Sequence, residues 1–162
     1  MLDQELASAM RFLIKNSGNP KPHYFRIPEG FKLPAVYFPE PQLDTDGFTL
    51  DEYALDFTWP VKFFADTDRA AHAMGFQALT ELKRKNNLIL LIDEDGNTLE
   101  RGFRTREPVL RLIDDGVAQL MLRWTSPRPY FRPEAEKMMV YHLRLFVKDA
   151  FNRGVEQIET GG

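Results

Sequence analysis

Tyr53-Ala-Leu-Asp-Phe-Thr-Trp-Pro-Val-Lys-Phe63 is the stretch on which the fold turns. Tyr53, Leu55, Phe57, Trp59, Val61 and Phe63 alternate with Ala54, Asp56, Thr58, Pro60 and Lys62. Successive strand side chains point to opposite faces, so this pattern predicts a long strand with one buried and one wet face. Pro60 has no N–H to give to a ladder. It marks an edge position, a bulge, or the point where pairing changes partner.

Downstream, residues 67–86 read as a helix capped by Asp66 or Thr67, with Ala71, Met74, Gly75, Ala78, Leu79 and Leu82 on one apolar arc. Lys83-Arg84-Lys85 lies in its last turn, where cations suit the helix dipole. Leu88 to Ile92 is an apolar strand, Asp93 to Asn97 a turn, and Thr98 to Arg106 a more polar strand. Val109 to Asp114 and Val117 to Trp124 flank Asp115-Gly116, a hairpin signal because both residues tolerate positive φ. Ser126-Pro127-Arg128-Pro129 is expected to end that pair.

Upstream, Leu2, Leu6, Ala9, Met10 and Leu13 predict an amphipathic helix over 2–16, stopped by Asn16-Ser17-Gly18-Asn19-Pro20. Residues 19–32 read as a loop. Leu33 to Pro39 reads as a short strand whose flanking prolines favour a sheet edge. The segment around Asp44-Thr45-Asp46-Gly47 reads as a polar loop. Near the C-terminus, Met139, Tyr141, Leu143, Leu145 and Val147 alternate as in a strand, while Met139, Leu143, Phe146, Val147 and Ala150 make a helical stripe. The strand is preferred on propensity. The expectation is an α+β domain over 1–150, an antiparallel-dominated sheet with two helices packed on one face, and a flexible tail over 151–162.

Composition narrows the function. The 162 residues include 13 Phe and no Cys, with 24 acids against 21 bases and a net charge of -3. Such a chain can bury a core. Disulfides, thiolate zinc sites and cysteine nucleophiles are excluded. The balance of charge gives no global pull toward nucleic acid or an anionic membrane. The longest apolar run, Leu88 to Ile92, is far short of a membrane span, so no membrane partner is expected.

The motifs of catalysis fail one by one. Ser8, Ser17 and Ser126 sit in no nucleophile elbow. His23, His72 and His142 are isolated, without ligand spacing, although His72 can pair with Phe76 one helical turn on. Counted from Asp93, the sixth and twelfth positions of a calcium loop hold Thr98 and Arg104 instead of Gly and Glu. There is no Gly-rich phosphate loop. No catalytic, metal-binding or cofactor-binding residue is therefore assigned. The enzyme alternative would use the carboxylates at Asp114 and Asp115.

The surplus is aromatic and basic. Tyr130 and Phe131 stand among prolines and arginines, and Phe76 projects off its helix's apolar arc. Tyr, Phe and Arg are enriched at protein interfaces. Arg104 and Arg106 share a face of their predicted strand, which fits an acidic partner surface, DNA phosphates, or a solvated face with cross-strand ion pairs. Interface candidates are therefore Tyr130, Phe131, Phe76, Arg104 and Arg106.

The order of elements resembles the tail terminator (tail completion) proteins of long-tailed bacteriophages. The resemblance runs over about residues 1–131: the first helix, Pro34-Ala-Val-Tyr-Phe-Pro39, the alternating strand, Ala65-Asp-Thr-Asp-Arg-Ala-Ala-His72, further strands, and Arg128-Pro-Tyr-Phe131. It implies a virion subunit, assembled in the host cytoplasm, that closes as a homo-oligomeric ring, typically a hexamer, on the tail tube protein. Such a ring stops tube growth and receives the head-completion or connector protein, with DNA only passing through. Another head–tail joining or minor tail protein would look similar. The loop from Pro20 to Gly30 is longer than the family pattern, and 137–147 has no counterpart in it.

Overall fold

A computed structural model describes residues 3–131. The chain divides at Arg128, and of the unit that begins at Pro129 only residues 129–131 are described. The segment 137–150, read as strand or helix, and the expected tail over 151–162 lie outside the described residues.

The elements in order are α1 (Gln4–Asn16), β1 (Lys21–Tyr24), β2 (Ala35–Phe38), β3 (Gln42–Gly47), β4 (Glu52–Phe64), α2 (Asp68–Arg84), β5 (Leu88–Ile92), β6 (Thr98–Arg104), β7 (Val109–Asp114) and β8 (Val117–Pro129). The larger sheet runs β1-β2-β4-β8-β7, with β3 also paired to β4. β5 and β6 form a separate antiparallel pair. The fold is α+β and mostly antiparallel, as the alternation predicts. β1 runs parallel to β2.

Strand β4 organises the sheet. Its C-terminal part pairs with β2, Phe63 opposite Val36, and its N-terminal part pairs with β3, Phe57 opposite Leu43. Pro60 sits between the two stretches. Of the three readings its missing N–H allows, edge, bulge or change of partner, the last is what the structure contains. Phe57, Trp59, Val61 and Phe63 are all buried on the face that both helices cover. Tyr53 and Leu55 are only half-buried, while Ala54 is buried, so the strict alternation holds only beyond Asp56.

The core is aromatic at its centre. Phe57 stacks on Trp124 at 4.6 Å, Phe38 stacks on Trp59 at 5.3 Å, and the two tryptophans meet edge-on at 6.2 Å. Such pairs contribute about 0.5–1.5 kcal/mol each beyond burial alone. Trp59 Nε1 donates to Pro39 O at 2.7 Å, so the buried indole N–H is satisfied. From α1 come Leu6, Ala9, Met10 and Leu13, and from α2 come Ala78 and Leu82. Thr67 caps α2 by accepting from Ala70 N at 3.1 Å. Asp3 caps α1 in the same way, from Glu5 N at 3.0 Å.

Four local expectations are corrected. Residues 21–24, read as loop, are strand β1: all four, Pro22 included, lie opposite Ala35 to Phe38. β2 is therefore not an edge, because Pro34 and Pro39 flank its paired residues instead of interrupting them. Residues 42–47, read as a polar loop, are strand β3, exposed at every position. With neither face buried, no apolar alternation is required, and the backbone ladder to β4 holds it. Finally, β8 continues through Ser126 to Pro129, because side-chain bonds to α1 hold the strand past its prolines.

Candidate assembly surfaces

The end of β8 is fixed by a polar clasp. Trp124, Ser126 and Arg128 are spaced by two and face the first turn of α1. Glu5 Oε2 accepts from Trp124 Nε1 at 2.8 Å, and Glu5 Oε1 accepts from Ser126 Oγ at 2.8 Å. Arg128 Nε donates to Ser126 Oγ and Arg128 Nη2 to Asp3 Oδ2, both at 2.8 Å. Burial opposes the Arg128 charge, but the Asp3 hydrogen bond and the charges of Asp3 and Glu5 outweigh it and raise its pKa. The clasp sets the course of the chain up to Arg128. Beyond it, Tyr130 is 42% exposed and Phe131 91% exposed.

Phe76 is also exposed, at 56%, and stacks with His72, ring centroids 6.3 Å apart. The i, i+4 pairing expected from sequence is present. Arg104 and Arg106 do not form one strand face. β6 ends at Arg104, whose Nη1 donates to Asn86 O at 2.6 Å. Arg106 lies beyond it and donates to Thr125 Oγ1 at 2.9 Å and Asp56 Oδ1 at 3.3 Å. Both arginines are used within the fold, which leaves less of them for a partner.

The acidic positions serve turns. Asp114 Oδ1 accepts from Asp115 N at 2.8 Å at the β7–β8 hairpin. Asp93 accepts from Asn97 N at 2.7 Å, and that backbone bond is the main cause of its lowered pKa. Glu107 is lowered by its bond to Lys83, at 2.7 Å, and by that ammonium's charge. An open groove of about 680 Å³ lies between α1 and the β5–β6 turn, lined by Asp3, Gln4, Ala7, Ile92, Asp93, Glu94 and Gly96. Among the described residues no three His, Asp or Glu side chains gather as a metal set.

Two surfaces escaped the sequence reading. The first is the β3–β4 arm, where Leu43 is 50% and Phe48 57% exposed. The second is β7, an edge of the sheet, where Val109, Leu112 and Ile113 are exposed. The Val-Leu-Arg-Leu-Ile run of β7 was readable as apolar, but a single hairpin gives no sign of which strand has a further neighbour. Next to it, Val109, Arg111, Gln119, Met121 and Arg123 line a hollow of about 90 Å³ on the face opposite the core.

No family model matches the chain. It is similar to the uncharacterized protein YqbJ of Bacillus subtilis (strain 168), 29% identical over 149 residues that span 91% of this chain and 100% of that protein. It is also similar to the phage-like element PBSX protein XkdJ of the same organism, 27% identical over 140 residues, 82% of this chain and 90% of that protein. Among solved structures, a chain from the virion of a native gene transfer agent particle overlays with a TM-score of 0.45 at 13% identity, covering 77% of this chain and 94% of that one. That last likeness is too distant to assign anything to this chain. The phage connection expected from the sequence is matched by the second relative. The terminator subtype rests on the resemblance in element order.

Proposed function

We propose that this protein is a structural component of a phage-type particle, acting through self-association and contact with other particle proteins instead of catalysis. In the specific form of this reading, copies close as a ring on the end of the tail tube, arrest its growth, and offer a face to the head connector. The observation that carries the reading is the exposed apolar and aromatic surface on several separate elements: Phe48 on the arm, Phe76 on α2, Leu112 and Ile113 on β7, and Phe131 after β8. Single exposed apolar residues are ordinary, but large ones repeated on separate elements suit a chain with more than one neighbour. The similarity to a phage-like element protein over 82% of the chain points the same way.

Tyr130, Phe131 and Phe76 are the contact residues proposed for this role. Arg104 and Arg106 are weaker candidates because of their internal bonds. The test is to add purified protein to growing tail tubes from the same phage-type element. Binding at one tube end, with elongation halted, is the expected result. Tubes that elongate unchanged, with no protein at their ends, would remove the terminator role.

A further inference from the structure

We propose that the self-association rests on a head-to-tail contact in which the β3–β4 arm of one copy docks on the Arg111/Arg123 hollow of the next. This deepens the assembly reading above and depends on it. The arm is unusual as a piece of surface. All six residues of β3 are exposed, and among the described residues its outer edge has no paired strand. β3 is an edge strand, paired on one side only, to β4. Leu43 on it and Phe48 just after it are half-exposed.

The charges are arranged to select a partner. Asp44 and Asp46 are two apart and lie opposite Asp56 and Ala54 of β4, so they share one face of the sheet, the face away from Phe57. Acids on an open edge deter indiscriminate strand pairing and favour a cationic receiver. The receiver lies across the same sheet. Arg111 is opposite Gln119, and Val109 opposite Met121, on the face away from the core. Arg123 follows on that face, two residues beyond Met121. Among the described residues neither the Arg111 nor the Arg123 guanidinium has a hydrogen-bond or ion-pair partner. Two cations flanking apolar Val109 and Met121 complement the two acids of β3, while Leu43, opposite Phe57, lies on the other face of that strand.

One edge of the sheet is therefore acidic, and the other is basic and hollow. A second copy supplies both halves. Because the two patches differ, the contact is heterologous, the kind that closes a ring or propagates a filament.

The test uses charge reversal in the full chain. One variant carries Asp44→Lys and Asp46→Lys, and the other Arg111→Glu and Arg123→Glu. All four positions are exposed, so both variants are expected to melt within about 2 °C of the parent. Each alone is expected to self-associate at least about tenfold more weakly, because like charges then meet across the contact. Mixed in equal amounts they are expected to regain association, since each arm then finds an opposite patch in an alternating assembly.

If both folded variants associate like the parent, the contact is wrong while self-association stands. If both lose association and the mixture does not regain it, the pairing of these two patches is wrong. If the parent itself never associates, the assembly reading falls and this contact with it. If the arginine variant associates normally but loses a binding to duplex DNA that the parent has, the hollow belongs to nucleic acid and the proposal is overturned.

Discussion

Trp124 donates its indole N–H to Glu5 at 2.8 Å, joining the first turn of α1 to β8 across 119 positions of sequence. The same carboxylate accepts from Ser126, which is 2% exposed, and the Trp124 ring stacks on Phe57. A carboxylate in that place satisfies two buried donors at once. Glu5→Ala is expected to leave both unpaired and to lower unfolding stability by about 1–3 kcal/mol, read by denaturant titration. Tryptophan emission should shift as well. A variant as stable as the parent would show that the clasp contributes nothing net.

Gly116 turns the β7–β8 hairpin at φ +69, and a Cβ there would stand 2.5 Å from the Ala65 carbonyl oxygen. Gly18, at φ +89, has nothing within 4 Å of the same built atom. Gly18→Ala should cost about 1 kcal/mol for the left-handed backbone alone. Gly116→Ala should cost clearly more, because a backbone carbonyl cannot step aside as a side chain can. Equal losses in the two variants would contradict the close approach of Ala65.

Glu107 should titrate below the usual glutamate range, with Lys83 as the cause. Its folded pKa is depressed, so any stability it contributes is present above the unfolded pKa and lost as pH falls through the folded one. The pair is exposed, so the effect on unfolding should be small. Lys83→Met is expected to return the Glu107 midpoint upward in an NMR titration. An unmoved midpoint would remove Lys83 as the cause.

Phe131→Ala should leave the melting temperature of the isolated subunit unchanged, since the ring is 91% exposed, and should weaken assembly. Phe76→Ala should behave in the same way, apart from the lost stacking on His72. A lowered melting temperature with assembly intact would instead assign Phe131 to packing.

What the sequence disclosed follows from which forces leave a local pattern. The core face from Phe57 to Phe63 and the arc of α2 were legible because burial imposes a period. Pro60 marked an irregularity because a missing N–H acts at its own position, though an edge, a bulge and a change of partner were equally open. β3 was illegible because a strand wet on both faces has no period to display. β1 was hidden for a related reason: its four residues are ordered by pairing with β2, not by burial. The clasp escaped because Glu5 and Trp124 meet only after the whole fold is formed, although Trp-x-Ser-x-Arg on a strand ending in prolines was a readable hint. The interface candidates divided in a similar way. Exposure of Phe76 followed from helical geometry, while the bonds that occupy Arg104 and Arg106 come from Asn86, Asp56 and Thr125 on other elements.

Whether copies of this chain assemble with one another is read from the native mass of the purified full chain over a range of concentrations. A discrete oligomer is expected, growing with protein concentration and weakening as salt screens the acidic β3 edge and the basic hollow. A monomer at every concentration, at low salt as at high, would contradict it.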